Sequence, residues 1–147
     1  MTNADFVITI MIIIIVKEVN MQRRSKKREA IYDALVKSCD HPTACELYLR
    51  VMERVPGVSI STVYRNLSEF CAEGKAIMIV TSGGEERFDG NLCAHDHFIC
   101  RLCGKAFDEE RTDMGNAVLR KMEKKGRRPE TVSVFGVCEN CIGNDAM

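Results

Sequence analysis

Residues 95–104, His95-Asp96-His97-Phe98-Ile99-Cys100-Arg101-Leu102-Cys103-Gly104, run a His-x-His directly into a Cys-x-x-Cys. A second pair, Cys138-Glu139-Asn140-Cys141, lies near the far end of the chain. The two pairs bracket a segment that reads as strand, helix and strand, so they meet only if that segment folds back on itself. Four thiolates gathered in this way make a closed, tetrahedral zinc site of Cys100, Cys103, Cys138 and Cys141. The alternative is a redox dithiol, which needs one pair only and a thioredoxin-like βαβ setting that the sequence lacks. If residues 95–100 form a strand, His95 and His97 face one way and Asp96, Phe98 and Cys100 the other. The histidines then fall outside the zinc site. Two imidazoles on one strand face can gather carboxylates around a harder, exchangeable metal, although surface histidines at this spacing also arise by coincidence.

At 147 residues and 46% apolar composition the chain suits one average domain or two small ones. Formal net charge is zero, so contact with nucleic acid has to rest on a local basic patch. Eight cysteines could form a disulfide framework. Four of them fall into paired Cys-x-x-Cys units without an export signal before them, which favours reduced thiols and a cytoplasmic protein. Cys39, Cys45, Cys71 and Cys93 read as ordinary, partly buried thiols, with a ligand role left open for Cys93 by its strand parity with His95. The apolar run at residues 6–16 is shorter than the ~20 residues a membrane span needs. It also lacks the preceding positive charge and the small-residue cleavage site of a signal peptide. No membrane association is expected. Met21 is the expected natural start, with residues 1–20 outside the fold.

From Arg23 the pattern becomes that of a folded domain. Arg23-Arg24-Ser25-Lys26-Lys27-Arg28 opens a helix with Ala30, Ile31, Ala34 and Leu35 on one face. Taken alone, such a run is a solvated face. Thr43-x-x-Glu46 is a capping box before a second helix that stops ahead of Pro56-Gly57. Ser59 caps a third helix through Val63, Leu67 and Phe70, closed by Gly74. Its residues Ser61, Thr62, Tyr64, Arg65 and Asn66 read as outward-facing and suited to phosphates and base edges. A strand over 76–81, a turn at Ser82-Gly83-Gly84 and a return over 86–89 add a hairpin. Three helices and a hairpin make a winged helix-turn-helix. Beyond it come a strand, a loop and a strand to Asp108, a helix over 116–125 ended by Gly126, and a final strand over 131–137. The expected class is α+β, with an extension at 1–20, a winged-helix DNA-binding domain at 21–88 and a small α/β metal-binding dimerisation domain at 89–147. The last is too thin to bury much alone, so zinc and pairing with a second copy are expected to stabilise it.

Four motifs together, His41-Pro42-Thr43-Ala44, Ser61-Thr62-Val63-Tyr64-Arg65-Asn66-Leu67, Arg87-Phe88-Asp89-Gly90 and residues 95–105, resemble the ferric uptake regulator (Fur) family. The resemblance runs from about Arg24 to Cys141 and implies a homodimeric, metal-dependent repressor of a double-stranded DNA operator. It puts a regulatory Fe2+ or Mn2+ on His41, Asp89, His95, His97 and Asp108, and structural Zn2+ on the four paired cysteines. Arg23, Arg24, Lys26 and Lys27 become candidates for phosphate or minor-groove contacts, although the helix that precedes the basic start in many members reads as short or absent. Iron-sensing members typically carry Glu where this chain has Asp108, whereas peroxide-sensing members carry Asp. The resemblance therefore implies peroxide sensing through oxidation of His41 or His95. Iron sensing is the alternative, and a zinc-stapled DNA-binding adaptor without metal sensing is a remoter one. Some members use the acid between the two histidines in an additional site with a downstream histidine, but no His follows His97. Asp96 accordingly reads as a solvated strand residue. No arrangement of nucleophile and base points to an enzyme.

Overall fold

The first helix, α1, spans Asn3–Val36. It starts well before the basic run, because neither Gly nor Pro occurs ahead of Pro42 and nothing else in the segment breaks a helix. The computed structural model describes residues 3–143; within α1 the side chains of residues 3–7, 9, 10, 20 and 23 lie outside the description. Ile8, the residues from Met11 to Val16, and Val19 are all exposed. The apolar run is thus helical, but its described side chains contribute nothing to the core, whereas Ile31 and Leu35 of the same helix are completely buried. Among the described residues, no helix is long and apolar enough to cross a membrane.

Helix α2 (Ala44–Met52) begins at a complete capping box: the Thr43 side chain accepts from the Glu46 N–H, and the Glu46 carboxylate accepts from the Thr43 N–H at 2.7 Å. Helix α3 (Ile60–Ala72) is capped by Ser59, and Gly74 follows its last turn at φ +69. Strands β1 (Ile77–Val80) and β2 (Glu86–Asp89) pair antiparallel across a turn closed by the Thr81 N–H donating to the Glu85 carbonyl. The helices bury Ile31, Leu35, Leu47, Val51, Val63, Leu67 and Phe70 in one cluster, to which β2 adds Phe88. This is a winged helix-turn-helix.

The second half is a three-stranded sheet in the order β4-β3-β5. Strand β3 (His95–Cys100) is central, antiparallel to β4 (Ala106–Glu110) and parallel to β5 (Ser133–Gly136). Helix α4 (Asp113–Glu123) connects β4 to β5, and one further turn, α5 (Glu139–Ile142), carries the last cysteine. Helix α4 starts earlier than its apolar spacing implies, because Thr112 supplies a cap by accepting from the Gly115 N–H. Apolar burial here is slight. Ile99 and Ala106 share a small cluster with Ile79 of the wing, so part of the core of this half is borrowed from the other.

Arg87 fastens the two halves. Its guanidinium is 8% exposed and donates to the carbonyls of His41 and Gly104 and to the carboxylates of Glu46 and Glu85. Gly90, directly after β2, is pressed against the end of α1: a Cβ there would stand 2.9 Å from the Val36 Cα. Helix backbone cannot yield as a side chain can. Gly90→Ala is therefore expected to cost about 1–3 kcal/mol in chemical denaturation, the range for an overpacked site. Gly84→Ala in the solvent-exposed turn, where the Cβ meets nothing within 4 Å, is the control for left-handed backbone strain without crowding.

Candidate metal centres

The four paired cysteines come together. Cys100 ends β3, Cys103 lies in the turn after it, Cys138 is the N-cap of α5 and Cys141 lies within α5. Their sulfurs all lie within 4.8 Å of one another. Cys103 Sγ and Cys138 Sγ stand 3.9 Å apart. Tetrahedral zinc with Zn–S bonds of ~2.3 Å needs sulfur pairs about 3.8 Å apart, so this geometry fits zinc. The thiols are electrostatically unequal. Backbone N–H groups of Cys103 and Cys138 aim at Cys100 and hold it at about 6. Burial pushes Cys138 up, and the hydrogen bond with Cys138 pushes Cys141 up to about 12. Four sulfurs this close cannot all be thiolates until a cation stands among them.

On the opposite face of β3 a second set gathers: His41, Asp89, His95, His97 and Asp108, again with one ligand atom each inside 4.8 Å. Register explains most of it. His97 pairs directly with Asp108 across β3 and β4, and His95 follows on the same face. Asp89 closes β2. His41 arrives from the loop between α1 and α2 with a left-handed φ of 49, uncommon for a residue with a side chain. Nε2 of His41 stands 2.7 Å from Oδ1 of Asp108, and Nε2 of His95 stands 2.9 Å from Oδ2 of Asp89 and 3.0 Å from Nε2 of His97.

Hydrogen bonding fixes what these atoms offer. Nδ1 of His95 lies 2.7 Å from the Cys93 carbonyl, which can only accept, so Nδ1 is a donor and, in the neutral ring, Nε2 is the acceptor. Oδ2 of Asp89 is buried without a donor on it. Burial alone would raise the Asp89 carboxyl; contact with His97, the Asn91 N–H and the imidazoles of His41 and His95 outweigh it and hold the group below its ordinary range. The pocket therefore presents lone pairs and negative charge to one point. Imidazoles and carboxylates in this proportion suit Fe2+ or Mn2+.

Residues 20–135 match the sequence profile of the Ferric uptake regulator family. The chain belongs to this family. It is 31% identical over 121 residues to the "Peroxide-responsive repressor PerR" of Staphylococcus epidermidis, covering 81% of each chain. The protein of that name from Staphylococcus aureus is also 31% identical, over 81% of this chain and 82% of its own. Among solved structures, the Campylobacter jejuni peroxide stress regulator superposes with a TM-score of 0.72 at 25% identity, over 88% of this chain and 98% of its own. The Helicobacter pylori ferric uptake regulator does so with a TM-score of 0.69 at 25% identity, over 86% and 88%.

Several surroundings of this Fur-family site differ from the sequence reading. Asp96 is not a solvated strand residue. It is 7% exposed, paired with Arg111 at 3.2 Å and accepting from the Val132 N–H at 3.1 Å. Cys93 stands outside both clusters and contributes its carbonyl alone, and Cys39, Cys45 and Cys93 are exposed, leaving only Cys71 half-buried. On α3, Ser61, Tyr64 and Arg65 are exposed and Thr62 is half-buried, as an outward face requires. Asn66 turns inward instead: it is 5% exposed, donates to the Thr62 carbonyl and accepts from Arg28. Arg24 and Lys26 are exposed, whereas Lys27 is half-buried and donates to the Gly57 carbonyl, tying α1 to the loop before α3. The side chain of Arg23 lies outside the described residues.

The thiol inequality sets a pH dependence. Cys138 and Cys141 sit above their ordinary value and hold protons at neutral pH, and zinc has to displace them. Zinc affinity of the metal-free Fur-family chain is therefore expected to rise with pH from neutral to mildly alkaline, with protons released on binding. Chelator competition at a series of pH values measures this, and a flat profile contradicts the assignment of these thiols.

Proposed function

We propose that the chain is a metal-dependent transcriptional repressor of double-stranded DNA, acting as a homodimer in the cytoplasm and sensing peroxide. In this reading Cys100, Cys103, Cys138 and Cys141 hold structural Zn2+, and His41, Asp89, His95, His97 and Asp108 hold a regulatory Fe2+ or Mn2+. Residues 21–88 form the DNA-binding domain and 89–147 the metal-binding dimerisation domain, with 1–20 an extension outside both. The observation that carries the proposal is the origin of His41. It belongs to the winged helix, whereas His95, His97 and Asp108 belong to the sheet. One ion shared among them fixes the angle between the halves, and in a dimer that angle sets the spacing of the two recognition helices against successive major grooves.

Ser61, Thr62, Tyr64 and Arg65 are placed for base edges and phosphates on α3, and Arg24 and Lys26 for phosphates on α1. Lys27 and Asn66 support those faces from behind, through Gly57 and Thr62. Asp108, and the relatives named as peroxide-responsive repressors, favour peroxide over iron as the signal. Fe2+ held by these residues would supply the redox chemistry that activates peroxide, and the ring of His41 or His95 would be the group oxidised: overall, one peroxide oxygen is inserted at a ring C–H and the other leaves as water. An oxidised imidazole no longer offers the same lone pair, and the tie between winged helix and sheet is released.

The decisive experiment selects a duplex from a random-sequence pool with Mn2+-loaded protein, then measures its binding with Fe2+, with Mn2+ and after peroxide. Binding is expected to need either metal and to be lost after peroxide with Fe2+ only, with one oxygen gained on the peptide carrying His41 or His95. Asp108→Glu should blunt that loss. Retention of binding by the Fe2+-loaded protein after peroxide treatment favours iron sensing. Metal-independent binding that survives His95→Ala reduces the protein to a zinc-stapled adaptor.

A further inference from the structure

Three side chains outside the two clusters meet at the backbone of the ligand strand. Thr131 Oγ1 donates to the His95 carbonyl at 3.0 Å and lies 3.5 Å from Nδ1 of His97. Arg111 donates through Nη2 to the same His95 carbonyl at 2.7 Å and to the Glu130 carbonyl at 3.1 Å, and through Nε to Oδ1 of Asp96 at 3.2 Å. That Asp96 oxygen also accepts from the Val132 N–H. The other carboxylate oxygen, Oδ2, abuts Gly115 in the first turn of α4, where a Cβ would collide with it. Residues 130–132, the lead-in to β5, are thus clamped onto β3 from three sides, and the clamp grips the strand between the two histidines.

The hydroxyl has one proton, and the His95 carbonyl can only accept. With that proton committed, the contact between Thr131 and His97 is satisfied when Nδ1 of His97 is the donor. The neutral His97 ring then carries its proton on Nδ1 and presents Nε2 as the acceptor, the tautomer that the Cys93 carbonyl favours for neutral His95. We propose that Thr131 and Arg111 are positioning residues of the His/Asp centre: Arg111 fixes the lead-in to β5 against β3, and Thr131 there orients His97 so that its Nε2 joins that of His95 on one ion. Partners of this kind, which orient a ligand histidine through its other nitrogen, commonly change metal affinity by about 10–100-fold when removed. The clamp also ties occupancy of the centre to the docking of β5 and α4. This inference rests on the reading of the cluster as a metal site.

The test uses the full chain with its zinc in place and Mn2+ as the probe. Thr131→Val removes the hydroxyl at nearly constant shape, and Thr131→Ser restores it. Calorimetry is expected to show Mn2+ binding weakened about 10-fold in Thr131→Val and recovered in Thr131→Ser. Before Mn2+ is added, the imidazole nitrogen NMR signals of His97 should move from the Nδ1–H pattern towards a tautomer mixture in Thr131→Val only, those of His95 staying in place. Arg111→Met frees the lead-in to β5 and should weaken Mn2+ binding with the same change at His97; it carries the test if Thr131→Val loses its zinc. Variants that match the wild type in affinity, or that lose affinity with the His97 tautomer unchanged, overturn the inference. A wild-type chain that takes up no Mn2+ overturns the underlying reading instead.

Discussion

Three imidazoles and two carboxylates share one pocket without a positive side chain among them. Lone pairs crowded to this degree repel one another unless a cation stands at their centre, and much of the architecture is arranged to hold them together regardless. Strand β3 lies in the middle of its sheet, so that His97 finds Asp108 on one neighbour and the 130–132 segment on the other. Gly90 lets the chain pass tight against α1 immediately after Asp89. His41 accepts a left-handed backbone, held there while its carbonyl takes a bond from the buried Arg87.

The same strand separates two kinds of chemistry by the direction of its side chains. Its histidine face opens towards the winged helix, and its last residue, Cys100, turns away into a closed set of thiols. The division follows stability. The sheet buries few apolar side chains of its own and shares Ile79 with the wing, so zinc held by the four thiols would crosslink the end of β3 to α5 in place of the missing core.

Periodicity and capping chemistry made α2 and α3 legible almost to the residue: Thr43, Ser59 and Gly74 sit where these helices begin and end, whereas α1 starts about twenty residues before the basic run at which it was expected to open. Strand parity separated the histidines from Cys100 without any coordinates. His41, Asp89 and Asp108 were legible only through family resemblance, since nothing local marks a lone His before Pro or an Asp at a strand end as a ligand. Asn66 was misread for a different reason. Its amide chemistry suits DNA, but Val63, Asn66, Leu67 and Phe70 share one helical face, and that period puts it inside. The extent of α1 followed from the absence of any breaker, a weaker signal than the change from apolar to basic residues at its middle. The partners of Asp96 could not be read at all, because Arg111 and Val132 reach it only after the sheet has formed.

Of the five residues in the His/Asp centre, four are almost wholly shielded from water, and Asp108 alone is not: its side chain is 45% exposed and is carried by β4, at the edge of the sheet. Water can compete for a coordination position only where it can arrive, so an ion held here as proposed would exchange past this carboxylate rather than past the buried imidazoles. Preference for a metal and the time for which it is retained would then fall to different residues. The buried ligands would set which ion is held, and the exposed one how long it stays.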